Sequence, residues 1–201
     1  MKFFAPPTFR CFPELETARL WLTEIKPAYT EDIFRHFSDH EVTRYLDLAP
    51  LQTPQDAQHL VNFLTNRFKE ERGIRWGIRP KGQTHLIGTC GYNFWAKRRA
   101  RAELGYDLAP AYWRQGLATE AVKAVIAFGF ETMRLWQIEA FIAPKNIASQ
   151  QFIKRLGFRQ ARNVREFQFS TGQLASMTVF SLDKEQWVNL GESSYFYLQE
   201  G

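Results

Sequence analysis

The stretch of the chain best suited to chemistry is AYWRQGLATEA, residues 111–121, where an aromatic-rich run reaches Arg114-Gln115-Gly116-Leu117-Ala118 and turns into a strong helix pattern. The first N–H groups of a helix lack intrahelical acceptors and sit at the positive end of its dipole. From about Gln115 to Thr119 they can therefore hold an anion, most naturally a phosphate or pyrophosphate. Gly116 and the small Ala118 allow close approach to the backbone, and Arg114 adds a guanidinium. The same glycine also suits a plain strand-to-helix turn, and the loop alone leaves both readings open. It is neither a Walker A loop nor a G-x-G-x-x-G fingerprint.

A second constellation follows about thirty residues later in PKNIASQQFIKRLGF, Pro144 to Phe158. Asn146 fits an N-cap, Ser149 lies in the first turn, Phe152 and Leu156 form a buried stripe, and Gly157 fits the position just past the end. Lys154 and Arg155 suit the negative end of the dipole. A well-capped structural helix is one reading. The other is a ligand site, because a helix that follows a strand of a βαβ unit starts at the carboxyl edge of the sheet.

The elements that must position these residues are written in the periodicity. RLWLTEI alternates as a first strand, and Thr30 followed by Glu31 and Asp32 starts a short helix with Ile33, Phe34 and Phe37 inward. Thr53, Pro54 and Asp56 open a second helix, 54 to about 70. IRWGIR, THLIGTCGYNFW and RAELGYDL then read as three antiparallel strands. After Gly116 come a helix with Ala118, Val122, Val125, Ile126, Gly129 and Met133 on one stripe, the strand QIEAFIA, a helix near 147–156, and strands near 158–169 and 175–183. The order β-α-α-β-β-β-α-β-α-β-β is a mixed α/β domain in which a meander feeds a βαβ crossover.

Composition narrows the classes. The chain has 201 residues, 18 Phe and 6 Trp, enough apolar bulk for one core. A net charge of +5 suits an anionic ligand but names none. The basic run Lys97 to Arg101 reads as a solvated loop, and no RNA-binding signature accompanies it, so nucleic acid is not an expected partner. Cys11 and Cys90 make no disulfide framework and lack metal-ligand spacing with the four histidines, so no metal is expected. No run approaches the length of a membrane span, and a cytoplasmic protein is the expectation. Residues 1–13 read as a loose arm, 14–183 as the domain and 184–201 as a tail whose Tyr195, Phe196 and Tyr197 hint at an interface in a monomer or homodimer.

YDLAPAYWRQGLATEAV followed by NIASQQFIKRLGF resembles the acetyl-CoA-binding core of the GNAT N-acetyltransferase superfamily. LETARLWL, SDHEVTRYL and AELGYDLAPAYWRQGLATEA are more similar to its branch of ribosomal-protein N-terminal acetyltransferases. The resemblance spans about residues 14 to 183. It implies a single α/β GNAT-like domain: a mixed, mostly antiparallel sheet with a central splayed parallel strand pair and flanking helices. It implies acetyl-CoA as cosubstrate and an amine acceptor, a protein N-terminal amine before a polyamine, aminoglycoside or amino-acid derivative. Tyr106, Asp107 and Leu108 would lie on the strand whose backbone pairs with the pantetheine arm. Trp113, Arg114, Gln115, Gly116, Leu117, Ala118 and Thr119 would wrap the pyrophosphate. Asn146 would contact the cofactor arm and Ser149 would lie near the thioester sulfur.

Two departures from the family pattern stand out. Trp113 replaces the usual Gln or Arg three residues before Gly116, as in the ribosomal branch. Ile153 replaces the tyrosine that often serves as general acid, so Ser149 or a water must stabilise the thiolate. That missing tyrosine also keeps open a non-catalytic acyl-CoA-binding module. Acetyl transfer needs a neutral amine, hence a base. Strand alternation sets Arg101, Glu103, Gly105 and Asp107 on one face, and Glu103 beside the side-chain-free Gly105 is the first choice, with room there for a substrate. Pairing with Arg101 is its structural alternative. Glu166 is the second candidate, with Arg162 and Arg165 as ready surface partners. His36, His40, His59 and His85 fall in no motif and read as surface or satisfied histidines.

Overall fold

Local signals set the helices. Thr53 accepts from the Asp56 N–H at 3.2 Å while the Asp56 carboxylate accepts from the Thr53 N–H at 2.8 Å. This capping box, with Pro54 in the first turn, starts a helix over Pro54–Lys69; such caps are worth about 1 kcal/mol. Asn146 accepts from the Ser149 N–H at 3.1 Å and starts the helix Ile147–Arg155. Both starts agree with the sequence.

A computed structural model describes residues 7–191 and the backbone of 197–198. In chain order its strands are β1 (Leu15–Glu16), β2 (Leu20–Glu24), β3 (Ile74–Pro80), β4 (Gly88–Ala96), β5 (Arg101–Leu108), β6 (Gln137–Ile142), β7 (Arg159–Gln168), β8 (Gln173–Asp183) and β9 (Tyr197–Leu198). The helices are α1 (Thr30–Phe37), α2 (His40–Thr43), α3 (Pro54–Lys69), α4 (Leu117–Glu131), α5 (Ile147–Arg155) and α6 (Lys184–Asn189). The sheet runs β7-β8-β6-β5-β4-β3-β2-β1-β9. Among the described residues every pairing is antiparallel except β5 with β6. That parallel pair covers only Arg101↔Gln137, Ala102↔Ile138 and Glu103↔Glu139, after which the strands part. The splayed parallel pair implied by the resemblance is present.

Two apolar clusters sandwich the sheet. One gathers α4, α5 and the strands; the other packs α1 and α3 through Ile33, Phe37, Ala57 and Val61. α4 is buried almost all round, from Ala121 and Val122 to Phe130, rather than along the single stripe read from the sequence. It lies between sheet and chain termini, so its outer face also finds apolar neighbours.

Residues 7–13 do not hang free. Phe9 packs on Trp95 and Phe128, Phe12 packs on Phe68 and Trp76, and the Trp76 indole donates to the Pro13 carbonyl at 2.6 Å. The prolines signalled an irregular backbone, but the two phenylalanines bury enough apolar surface to fix it. The tail likewise begins as α6, with Trp187 buried. Tyr197 pairs through its backbone with β1, whereas Tyr195 and Phe196 lie outside the described residues. Lys97 is paired with Glu71, and its ammonium sits 4.5 Å from the centre of the Trp95 ring, so the basic run is a braced surface turn.

Candidate active site

The parting of β5 and β6 opens a cleft of about 610 Å³. Because side chains alternate along β5, its two faces supply different chemistry to this gap. Glu103 comes from one face, while Tyr106 comes from the other and meets Ser149 of α5; all three line the cleft. The predicted Glu103, Tyr106, Asn146 and Ser149 are thus brought together.

Glu103 is held by the bulge in β4, where the register slips between Tyr92 and Phe94. The bulged Asn93 donates through Nδ2 to Glu103 Oε1 at 3.1 Å, and its side-chain Oδ1 accepts from Arg75 Nη1 at 2.5 Å. Burial pushes the Glu103 carboxyl up, Asn93, Arg75 and Arg67 pull the other way, and the net shift is upward. Arg101 does not pair with it, its guanidinium lying over the Trp136 ring at 4.7 Å. The space beside Gly105 is also not open to a substrate. A Cβ there would come within 2.6 Å of both Arg75 Nη1 and Asn93 Nδ2. The glycine makes room for the two side chains that hold Glu103.

Glu166 of β7 lines the same cleft. Burial raises its carboxyl and the negative charge of Glu103 raises it further. Arg162, expected as its partner, instead donates to Glu139 at 2.6 Å. The far wall is closed by Asp47, whose carboxylate accepts from the N–H groups of Phe169 and Ser170 at 3.0 and 2.9 Å. This ties the loop after α2 to the β7–β8 hairpin. Asn93, Tyr45 and Asp47 escaped the sequence reading; a polar Asn inside the apolar run GYNFW was the one signal for the bulge.

Asp107 shares a face of β5 with Glu103 but does not line the cleft. Its side chain is 3% exposed and joins three elements. His36 Nε2 lies 2.6 Å from Oδ1, the Thr89 N–H donates to Oδ1 at 2.9 Å, and Thr89 Oγ1 and Arg75 Nη2 donate to Oδ2 at 2.8 and 2.5 Å. Burial would raise this carboxyl, but Arg75, His36 and Thr89 outweigh it and hold it at about 2. Only the Asp107 backbone is left for a ligand. Of the surface and satisfied readings His36 takes the second, a buried fastener of α1 to β5, although its Nδ1 has no hydrogen-bond partner among the described residues.

The glycine loop ends one side of the parted strands. Gly116 caps α4 at φ +76°, Arg114 also has positive φ at +59°, and the first helical bond is the Glu120 N–H to the Gly116 carbonyl at 3.0 Å. The N–H groups of Leu117, Ala118 and Thr119 therefore have no acceptor within the helix, as an anion cradle requires. The side chain of Leu117 is buried in the core, Ala118 packs against it, and Arg114 is exposed. Trp113 is 46% exposed, its indole donating to the Leu108 carbonyl at 2.6 Å. The Gln115 amide donates to Ala111, and its carbonyl accepts from Arg19. Arg19 also pairs with Glu120 at 2.7 Å, fastening the loop to β2. The geometry fits an extended, phosphate-bearing molecule lying along the free edge of β5 toward the start of α4.

Known proteins give the same fold and chemistry. The profile described as "Acetyltransferase (GNAT) domain" matches residues 19–159. The Bacillus subtilis (strain 168) protein YoaA, named as an uncharacterized N-acetyltransferase, is 36% identical over 173 residues, covering 86% of this chain and 98% of YoaA. The [ribosomal protein uS5]-alanine N-acetyltransferase of Escherichia coli (strain K12) is 22% identical over 135 residues, 67% of this chain and 70% of that protein. A solved GCN5-related N-acetyltransferase from Brucella melitensis shares the fold with a TM-score of 0.81 at 17% identity, covering 94% of this chain and 87% of that one. With its splayed β5–β6 pair and an α4 start that no side chain caps, the chain belongs to the GNAT acetyltransferase family, as an N-acetyltransferase with acetyl-CoA as its acyl donor.

Proposed function

We propose that this enzyme acts in the cytoplasm and transfers acetyl directly to a protein N-terminal amine, with Glu103 as the base and no covalent intermediate. The observation that carries the reading is Glu103 at the point where β5 and β6 part, its carboxyl raised by burial. A raised carboxyl is a stronger base toward an ammonium, which must lose a proton before its nitrogen can attack. Glu166 is the alternative base. Trp113 to Thr119 hold the pyrophosphate, with Arg114 as the added charge. The free edge at Tyr106, Asp107 and Leu108 pairs with the pantetheine arm, and Asn146 contacts it. Ser149 donates a hydrogen bond to the departing sulfur. Direct transfer is supported by the cysteines: neither lines the cleft, and Cys90 is fully buried with its thiol pushed up.

The N-terminal acceptor is supported by the resemblance to the ribosomal branch and by the named activity of the E. coli relative. One observation favours a small polycationic amine instead. Among the described residues, Asp47, Glu103 and Glu166 line the cleft with Arg165 as the one cation, and this negative wall attracts cations. Mass spectrometry of products from N-terminal peptides, polyamines and aminoglycosides, with coenzyme A release measured in parallel, tests the choice. Acetylated peptide α-amines are expected. Turnover confined to polyamines would overturn the protein acceptor.

A further inference from the structure

Position 153, where the family resemblance puts a proton-donating tyrosine, holds an isoleucine with no exposed surface. A different tyrosine meets the same helix. The Tyr106 hydroxyl lies 2.6 Å from Ser149 Oγ, and both residues line the cleft. The pair is firmly built: the Tyr106 ring packs on Phe152 with centroids 4.9 Å apart, and the Ser149 N–H is held by Asn146.

A serine hydroxyl has one proton and two acceptor sites. If the Ser149 proton turns toward the cleft, the 2.6 Å contact to Tyr106 survives only with Tyr106 as donor. We propose that Tyr106 is a positioning residue for acetyl transfer: by donating to Ser149 Oγ it orients the Ser149 proton toward the departing sulfur, in place of a tyrosine at position 153. The inference rests on the reading of the cleft as the thioester site.

The amine nitrogen bonds to the acetyl carbon, the C–S bond breaks, and its electron pair goes to sulfur. Two protons leave the nitrogen: Glu103 takes the first from the ammonium before attack and passes it to water, and the second, lost as the amide forms, follows the same route. The thiolate, held by the Ser149 hydrogen bond, takes a proton from water on release. Full proton transfer from the hydroxyl pair is uphill. Burial pushes the Tyr106 phenol up to about 12, against about 8.5 for a simple thiol. The pair therefore acts by hydrogen bonding, and Tyr106 stays a neutral donor throughout the working pH range.

The test is Y106F, which keeps the ring on Phe152 and removes the hydroxyl. A fall in kcat of about 10- to 100-fold is expected with KM for acetyl-CoA within about twofold, the pattern of an interaction made in the transition state. S149A is expected to lose at least as much. Because Tyr106 acts through Ser149, the double variant should be no slower than S149A alone. General damage to the fold would instead add its loss on top of S149A. A Y106F kcat within about twofold of wild type, or losses that multiply in the double variant, would overturn the proposal. A wild-type enzyme that released no coenzyme A with any amine would defeat the functional reading itself, a result distinct from either variant outcome.

Discussion

Asp107 stands in the stretch expected to meet the cofactor, yet its side chain is the hub of a buried network, and D107N separates the two roles. The wild-type carboxylate accepts four hydrogen bonds, two to each oxygen, one of them from the Arg75 guanidinium. Asparagine keeps one oxygen but sets an NH2 against the donors of Arg75 and Thr89, leaving a buried cation without its counter-charge. Removing one partner of such a pair costs about 3–5 kcal/mol. At about 2.1 cal/mol/K per residue, a chain of 201 residues loses roughly 0.4 kcal/mol per degree near its midpoint. The predicted fall in Tm is therefore about 7–12 °C. Acid sensitivity should change as well. A carboxyl held at about 2 in the fold and near 3.8 when unfolded contributes about 2 kcal/mol at neutral pH. That contribution is present above pH 3.8 and is lost as pH falls toward 2, so the variant should show a shallower stability loss across that window. Thermal unfolding followed by circular dichroism from pH 2 to 7 measures both effects. Acetyl-CoA KM, measured well below the midpoint, should stay within about twofold. A Tm within about 2 °C of wild type, or an unchanged Tm with a greatly raised KM, would refute the reasoning.

Two further substitutions probe the cleft and the loop. E103Q should lower kcat by about 10²- to 10⁴-fold and remove the acidic limb of the kcat/KM profile. In the wild type that limb lies above the ordinary glutamate value of 4.5, because burial raises the carboxyl and activity falls as Glu103 is protonated. Stability at neutral pH should not drop, since a raised carboxyl is destabilised when ionised; unchanged turnover would remove Glu103 from the base role. G116A must place a side chain at φ +76°, at a cost of about 1–2 kcal/mol and roughly 2–5 °C in Tm. It should raise the KM for acetyl-CoA severalfold, and an unaltered KM in steady-state assays would argue against the anion cradle.

Features that depend on neighbours in sequence were legible from the residues alone. Thr53, Pro54 and Asp56 defined the start of α3, Asn146 the start of α5, and Gly116 the turn into α4, because caps and left-handed turns are settled by groups one to four residues apart. The alternation of β5 correctly separated Glu103 and Asp107 from Leu104 and Tyr106. Other features depend on residues far apart in the chain. Gly105 looked like space for a substrate until β3 and β4 brought Arg75 and Asn93 against it. His36 read as a surface or a satisfied histidine, and only the meeting of α1 with β5, 71 residues away, decided for the second. Tyr106 and Ser149 are 43 residues apart, and nothing in either segment announces their contact.

The sequence by itself therefore determined the order of the longer elements from β2 to β8, the glycine turn that starts α4 and the donor that the family binds. Tertiary structure decided which side chains share the cleft, that Asp107 serves the fold through its carboxylate, and which hydroxyls meet where β5 and β6 part. The physical reason is range. Backbone caps and periodicity are fixed within one or two turns of chain, whereas desolvation and hydrogen-bond partners are set by whichever distant segments packing brings into contact.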